Sequence, residues 1–390
     1  MTLKPSQILS QLHAKQADFQ TFDRTAANIF KEYRAALEKA SRLSTTELAT
    51  QLATHPSENL GAKPLEALGT FPNWIMPCGL AWQSREESLE WVRGHMTGVT
   101  TFAVDGSQIF PSKDLSIPVA LVQIGWFENA HLPSGTYVKD VTLEVMTPTE
   151  LKANTSGDPV DRLVNMRRFQ METDRLIQFM AERRECETCL VFFDGSLIVT
   201  FADAFDPESQ QIYVDCALRL LQASEQFRVP LVGYIDTTYA RDLTMMLQRL
   251  YKLPDGPAIH DAQLLGRKMA WGDRTPLFLC QRSGILAKYQ DHQDAIVFTY
   301  LKTTQDNYPV RLEFPRWLYE SGQMNQVLDW VRGEVIIGSG YPYAIETADQ
   351  TAVLQSADRQ TFQRIFQEWA EEQDLDLRLS RKMVSKVRRR

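Results

Sequence analysis

The chain has 390 residues, of which 44% are hydrophobic and 23% charged, a balance typical of a soluble globular protein with a sizeable core. Its formal net charge of -7 excludes a positive electrostatic field over the whole chain. Binding of nucleic acid through local basic patches remains compatible with this charge. Met1 is not followed by a secretory apolar segment, and no uncharged run approaches about 18 residues, so we expect a cytoplasmic protein without a membrane span.

The first part of the chain has a helical pattern. Apolar residues recur at helical spacing through residues 1–60, and Ser44-Thr-Thr-Glu47 has the form of a capping box that opens a helix. A Pro-punctuated loop over residues 64–79 and a helix over residues 86–95 follow. These residues carry no obvious chemistry, so we interpret residues 1–95 as an N-terminal helical accessory region.

The pattern changes to β-structure at Val99. Apolar runs predict strands over residues 99–105, 119–127 and 137–146, and the first of them is expected to break at Gly106. Three successive strands joined by short turns predict an antiparallel meander.

The elements after the meander alternate between helix and strand. They are a long amphipathic helix over 158–184, a strand over 189–194, a helix over 210–228, a strand over 231–235 and a helix over 240–251. Later strands are expected over 276–280, 295–302 and 311–314, and helices over 323–331, 345–354 and from 356 past Trp369. The order predicts an α/β fold with a mixed sheet flanked by helices and an N-terminal helical extension. It resembles the ribonuclease H-like fold, whose nucleases place carboxylates on the first strand, the next helix, the fourth strand and a late helix.

The five cysteines are Cys78, Cys186, Cys189, Cys216 and Cys280. An odd count without a paired framework is typical of a reducing compartment. The Cys186-x-x-Cys189 spacing could belong to a redox pair or half of a zinc site, but no second pair of ligands completes such a site. We therefore interpret both residues as ordinary thiols at a helix–strand junction.

The chemistry is suggested by two Asp-Gly-Ser steps. Asp105 follows Thr-Phe-Ala-Val and Asp194 follows Leu-Val-Phe-Phe. An aspartate that ends a buried strand is costly unless it is paired or bound to a metal, and the glycine after it allows a sharp turn. A single Asp-Gly-Ser is also good turn chemistry. Two of them, both closing apolar strands, favour a divalent-metal nuclease site over a pair of turns.

The helix between the two steps supplies further candidates. Glu172 lies one helical turn from Phe169 and Leu176, so it borders the apolar face and is either a ligand or a plain surface carboxylate. Asp174 falls further round the helix and is expected to be solvated. Arg168, like the arginine before it, could meet phosphate or pair with acids on its own helix, and we favour the pairing.

Several motifs together resemble the NurA nuclease family over about residues 98–355. They are Thr-Phe-Ala-Val-Asp105-Gly-Ser, Glu172, Val-Phe-Phe-Asp194-Gly-Ser-Leu, Val-Gly-Tyr-Ile235, Gly272-Asp-Arg-Thr-Pro-Leu-Phe, Phe298-Thr-Tyr-Leu, Arg311-Leu-Glu-Phe-Pro and Gly340-Tyr-Pro-Tyr-Ala-Ile-Glu-Thr-Ala. The resemblance implies a ribonuclease H-like, Mn²⁺- or Mg²⁺-dependent deoxyribonuclease. Such enzymes cut single-stranded DNA and resect duplex ends from 5′ to 3′, as homodimers docked on the hexameric translocase HerA.

The resemblance also implies the site residues. Asp105, Glu172 and Asp194 match the metal-binding acids of the family, with Asp105 expected to bridge two ions. The family also uses a tyrosine, for which Tyr213 is the nearest match, and Ser107 and Ser196 of the two Asp-Gly-Ser steps are auxiliary candidates.

The chain departs from the family after Gly-Tyr-Pro-Tyr, where relatives commonly have an Ala-His step and this chain has Ala348-Asp349. Asp349 is an oxygen donor, so the site could persist with a fourth carboxylate, and Glu346 is a rival ligand. Aspartate could not act as a general acid near neutral pH without a strongly raised pKa. The main alternative is therefore a weakened or inactive relative that serves as a docking subunit of a HerA-type motor. A ribonuclease or transposition factor of the same fold has less support.

The expected organisation is completed by the end of the chain. We assign residues 96–355 to the nuclease core and residues 356–390 to a C-terminal helix and basic tail. The tail, from Arg378 to Arg390, could contact DNA or a partner, or it could be a solvated end.

Overall fold

The structure of the protein, a computed structural model, describes residues 3–54, 60–68, 71–152, 160–254, 259–378 and 380. The helices are α1 (Pro5–Ala14), α2 (Gln16–Ala40), α3 (Thr45–Ala53), α4 (Arg85–Met96), α5 (Val160–Glu182), α6 (Pro207–Phe227), α7 (Asp242–Tyr251), α8 (Asp261–Gly266), α9 (Arg316–Glu320), α10 (Met324–Ile337), α11 (Tyr343–Ala352) and α12 (Ser356–Glu372). The strands are β1 (Gly61–Pro64), β2 (Thr100–Ile109), β3 (Ala120–Asn129), β4 (Tyr137–Met146), β5 (Cys189–Asp194), β6 (Leu231–Ile235), β7 (Phe278–Gln281), β8 (Ile296–Leu301) and β9 (Val310–Pro315). Among the helices so described, none combines the length and apolar character that a membrane crossing requires.

The chain forms two compact units. Unit 1 comprises Met1–Ala81 and Ile235–Glu313, and unit 2 comprises Trp82–Tyr234 and Phe314–Arg390. The three-part division expected from the sequence stays a prediction. Most of the expected basic tail, residues 379 and 381–390, lies outside the described residues.

Unit 2 contains the strands β6, β5, β2, β3 and β4 in that spatial order. The meander β2–β3–β4 is antiparallel, whereas β5 is parallel to both β2 and β6. This confirms the predicted mixed sheet flanked by helices.

The residues at helix starts also stabilise the helices locally. At the start of α6, for example, Asp206 accepts hydrogen bonds from the backbone N–H groups of Glu208 and Ser209, with Pro207 in the first turn.

The two faces of β2 meet different helices. Phe102 stacks on Phe179 of α5 with ring centroids 4.1 Å apart, while the neighbouring Thr101 donates a hydrogen bond to Glu334 of α10. Because side chains alternate along a strand, even-numbered β2 residues face α5 and odd-numbered ones face α10 and α11. Asp105 therefore lies on the face covered by α11, and the next residue lies on the face covered by α5.

Unit 1 contains β1, β7, β8 and β9 in that spatial order, with β1–β7 and β7–β8 antiparallel. The second half of α2 is buried and packs with α7 and α8, and the predicted Ser44–Glu47 capping box is present at the start of α3. The short strand β1 lies between the helical pattern of residues 1–60 and the loop expected over residues 64–79, where we predicted no strand. Its antiparallel partner β7 lies more than 200 residues away in the chain, so the pairing could not be read from local spacing.

Two expectations are wrong. The strand β2 does not break at Gly106 but continues to Ile109, paired with β3 throughout. Cys186 and Cys189 form a disulfide instead of two ordinary thiols. The turn between α5 and β5 brings their Cα atoms to 5.5 Å, a separation at which a disulfide closes without backbone movement.

Candidate metal centre

The two Asp-Gly-Ser aspartates lie on neighbouring parallel strands. Val104 of β2 is in register with Phe193 of β5, so Asp105 and Asp194 follow side by side, on strands about 4.8 Å apart. Asp194 ends β5 and is exposed, whereas Asp105 is half-buried within β2. The Gly195 after Asp194 has a φ of +145°, which lets the chain turn as predicted.

Gly106 has a different role from the one that we expected. A Cβ built on this residue would lie 2.3 Å from Oε1 of Glu172 and 2.7 Å from Cγ of Arg168. The missing side chain therefore makes room for α5 to approach β2 closely. It allows Glu172 to reach the strand from the face opposite to that of Asp105.

Glu172 is a largely buried carboxylate whose charge is only partly neutralised by its neighbours. Its Oε1 has no hydrogen-bond partner within the described residues, and Nε of Arg168 lies 3.5 Å from it. Burial raises the pKa of Glu172 to about 8; the charge of Arg168 lowers it, and the charges of Asp105 and Asp194 add to the rise. Arg168 also donates a hydrogen bond of 2.9 Å to the carbonyl of Gly106, so the arginine is fixed beside the acids.

Asp349 lies on α11 and reaches Asp105. Burial raises the pKa of Asp105 to about 6; the backbone N–H of Gly106 lowers it, and a hydrogen bond and the charge from Asp349 raise it. The helix α11 packs on β2 and β3, and Gly125 of β3 permits this because a Cβ there would lie 2.6 Å from the backbone nitrogen of Ala352. Two of the four predicted acids thus lie on the neighbouring strands β2 and β5, and the other two approach Asp105 from helices on opposite faces of the sheet.

A tyrosine that we did not predict contacts the site. The hydroxyl of Tyr341 donates a 3.1 Å hydrogen bond to Oδ1 of Asp194, and its ring lies edge-on against Tyr234 with centroids 5.2 Å apart. Tyr341 belongs to the Gly-Tyr-Pro-Tyr motif, and this motif was the feature of the sequence from which its role could have been predicted. Tyr213 is buried among Phe169 and other phenylalanine rings, and burial raises its pKa to about 12.

The remaining candidates have local structural contacts. The hydroxyl of Ser107 accepts a hydrogen bond from the backbone N–H of Leu354, just beyond α11. The hydroxyl of Ser196 donates a hydrogen bond to the carbonyl of Ile198 and accepts one from its N–H, within the turn after β5. Glu346 is exposed and accepts from the side chain of Gln350. Asp174 is exposed as expected and pairs with Arg219 at 2.7 Å.

The donor set suits a divalent cation. Carboxylate oxygens are the ligands that Mg²⁺ and Mn²⁺ prefer. In the described part of the chain, no three His, Cys, Asp or Glu side chains are already arranged to hold a metal ion. Glu172 leans toward Arg168, and Asp194 is bonded to Tyr341. The Oε1 of Glu172 has no hydrogen-bond partner in the described residues, and the carboxylates of Asp105 and Asp194 lie close enough to Glu172 to repel its charged form, so the residues fit a divalent cation that would offset this repulsion.

The close approach at Gly106 can be tested by adding a methyl group. We expect Gly106→Ala to displace Glu172 and to weaken Mn²⁺ binding, measured by calorimetry, about 10- to 100-fold. The φ of Gly106 is not positive, so alanine introduces no backbone strain, and overpacking should cost only about 1–3 kcal/mol of stability. Gly94→Ala is the matched control, because a Cβ at Gly94 meets nothing within 4 Å. Equal Mn²⁺ affinity in both variants would contradict the assignment.

The family model described as the NurA domain matches residues 99–354. No curated protein matches the chain. The match spans more than half of the chain and includes all four acids of the site.

Three similar solved structures share the same low level of identity. A crystal structure of NurA with manganese is 12% identical and covers 74% of this chain and 93% of its own, with a TM-score of 0.40. A structure of NurA bound to dAMP and manganese is 12% identical, covers 70% and 91%, and has a TM-score of 0.33. The catalytic domain of human endonuclease V is 12% identical, covers 72% and 96%, and has a TM-score of 0.33.

Proposed function

Because this chain belongs to the NurA family, we propose that it is a divalent-metal-dependent deoxyribonuclease. The observation that carries the proposal is that Asp105, within β2, and Asp194, at the end of the parallel strand β5, lie side by side, with Glu172 of α5 and Asp349 of α11 beside Asp105. Arg168 offsets part of the negative charge, but the buried Oε1 of Glu172 has no hydrogen-bond partner in the described residues, which is a cost in stability that a bound cation would offset.

The four acids would hold the metal, Mn²⁺ or Mg²⁺. When bound, such ions activate water and stabilise the leaving oxygen of a phosphodiester. The chain itself contributes orientation. Tyr341 fixes the carboxylate of Asp194 through its hydroxyl, and Arg168 places a positive charge beside Glu172, where it can attract a phosphate once the acids are neutralised.

The order β4–β3–β2–β5–β6 with an antiparallel meander supports the assignment of unit 2 to the ribonuclease H-like fold. Family membership supports single-strand endonuclease and 5′–3′ exonuclease activity on DNA, used in resection of double-strand breaks. It likewise supports a homodimer that works with a HerA-like hexameric ATPase in the cytoplasm.

A second candidate function is favoured by one observation. Asp349 stands where the resemblance leads us to expect a histidine, and aspartate lacks the proton that imidazolium could give to a leaving group near neutral pH. The chain would then be a docking subunit of a HerA-type motor with weak or no cleavage. If so, Asp349→His should restore cleavage that the parent lacks.

The test is a cleavage assay on 5′-labelled single-stranded DNA with Mn²⁺, with Mg²⁺ and with a chelator. We expect cleavage that depends on the metal and falls at least about 100-fold in Glu172→Gln, since a ligand and its charge are lost. Asp174→Asn is the matched control on the same helix, because Asp174 forms only an exposed ion pair. If the parent cuts nothing with any divalent ion, alone or with its motor, the docking function replaces the nuclease.

A further inference from the structure

Glu334 is a fully buried carboxylate in the last turn of α10. It accepts a 2.7 Å hydrogen bond from the hydroxyl of Thr101 at Oε1 and a 2.8 Å hydrogen bond from the backbone N–H of Ala344 at Oε2. Nε2 of His131 lies 3.0 Å from Oε1, at ion-pair distance. One side chain thus joins the strand β2, the segment after β3 and the first turn of α11.

The surroundings of His131 favour its charged form. Nδ1 lies 2.7 Å from the carbonyl oxygen of Val99, which can only accept a hydrogen bond, and Nε2 faces the carboxylate of Glu334. Both contacts are favourable when both ring nitrogens carry protons, and Nε2 is then ion-paired with Glu334, although outside hydrogen-bond geometry. Burial alone lowers the pKa of His131, but the carboxylate of Glu334 and the backbone contacts outweigh it, so the pKa is raised.

These contacts connect directly to the candidate metal centre. Thr101 lies on the same strand and the same face as Asp105, four residues earlier. Ala344 opens the helix that carries Asp349. A carboxylate at a helix N-terminus satisfies an amide that the helix cannot satisfy itself and interacts favourably with the helix dipole.

The other end of α11 is fixed separately. The side chain of Gln123 donates a 3.0 Å hydrogen bond to the carbonyl of Ala352, and Ser107 accepts one from the backbone of Leu354. Gln123 and Ser107 lie on β3 and β2, so the helix is tied to the sheet at both ends. Asp349 sits between the ties, and its position beside Asp105 depends on them.

We propose that Glu334, paired with His131, is a positioning residue of the metal centre that fixes the N-terminus of α11 to β2 and so keeps Asp349 beside Asp105. The inference rests on the proposed function for the identity of the bound ion. Partners of this kind typically change metal affinity or activity 10- to 100-fold without touching the metal. Glutamine cannot replace Glu334, because its amide N–H₂ would face one of the three donors and His131 would lose its counter-ion.

The experiment compares Glu334→Gln with Glu313→Gln. Both carboxylates are fully buried and ion-paired, but Glu313 lies on β9 in unit 1 and pairs with Arg311. Mn²⁺ binding is measured by calorimetry and backbone protection by hydrogen exchange with mass spectrometry. We expect Glu334→Gln to weaken Mn²⁺ binding about 10- to 100-fold and to accelerate exchange at the start of α11. Glu313→Gln is expected to lower the unfolding midpoint and to leave both readouts unchanged.

A gentler variant keeps the test decisive if Glu334→Gln does not fold. Thr101→Val removes one of the three contacts at nearly constant volume and should weaken Mn²⁺ binding about tenfold or less. If the rate of hydrogen exchange at the start of α11 is unchanged in Glu334→Gln or in Thr101→Val, the proposal is overturned. If the parent neither binds Mn²⁺ nor cuts DNA, the proposed function fails, and the exchange measurement still decides whether Glu334 positions α11.

Discussion

Replacing Asp105 with asparagine should remove DNA cleavage and at the same time stabilise the metal-free protein. Asparagine keeps the size of the side chain but cannot carry the negative charge with which Asp105 would hold a metal ion. We expect the rate constant for Mn²⁺-dependent cleavage to fall about 1,000-fold or more, equivalent to about 4 kcal/mol of transition-state stabilisation.

The stabilising effect follows from the pKa of Asp105. In the folded protein burial raises it to about 6, and Asp349 adds to the rise, above the ordinary value of 3.8. A group whose pKa is raised by folding contributes stability that is fully present below about pH 3.8 and is lost as the pH increases through about 6. At pH 7.5 the ionised carboxylate therefore opposes folding, and Asp105→Asn should raise the free energy of unfolding by about 1–2 kcal/mol after solvent screening.

The two effects together separate a metal ligand from a structural acid. Chemical unfolding at pH 7.5 with and without Mn²⁺ measures the second effect, and single-turnover cleavage measures the first. The parent should gain stability with Mn²⁺ and the variant should gain much less. Asp174→Asn, on an exposed pair, should change neither quantity. An Asp105→Asn variant that unfolds more easily without metal would show that the carboxylate has a structural role instead.

Much of this site could be predicted from local patterns. Asp105 and Asp194 stand out because a polar residue interrupts an apolar run twice in the same way, and the alternation of strands and helices predicts that both runs join one sheet. The helix of Glu172 is recognisable from its apolar face. These predictions depend on residues close together in the chain.

The rest depended on packing between distant segments. Gly106 was interpreted as a turn residue because a glycine after aspartate usually is one, whereas its structural use is to admit α5. Tyr341 was not predicted as a site residue, since only the fold brings its hydroxyl to Asp194. Glu334 did leave a signal, a carboxylate within an apolar helical run, and such a residue is almost never fully buried unless it is paired.

Unit 1 contains a second buried group of charges, remote in sequence from the acids of the metal centre. Arg311 donates hydrogen bonds of 2.7 Å to Asp242 and to Glu313, and its guanidinium carbon lies 3.8 Å from the ring centroid of Phe298. Arg282 binds the same Asp242 through two hydrogen bonds of 2.7 Å. Burial would raise the pKa of Asp242, but the two arginines outweigh it and lower this pKa to about 2.

Replacing Arg311 with methionine should therefore destabilise unit 1 by about 3–5 kcal/mol, since it removes one partner and leaves buried carboxylates with one cation fewer. The measurement is urea unfolding at pH 7, followed by tryptophan fluorescence. Arg42→Met is the control, because Arg42 pairs with Glu38 on an exposed surface and its replacement should change stability by less than about 0.5 kcal/mol.

The depressed pKa of Asp242 contributes stability above about pH 3.8 that is lost as the pH falls through about 2. The difference between parent and Arg311→Met should consequently shrink in acid, and a difference that stayed constant down to pH 2 would mean that methionine acts through packing and not through charge.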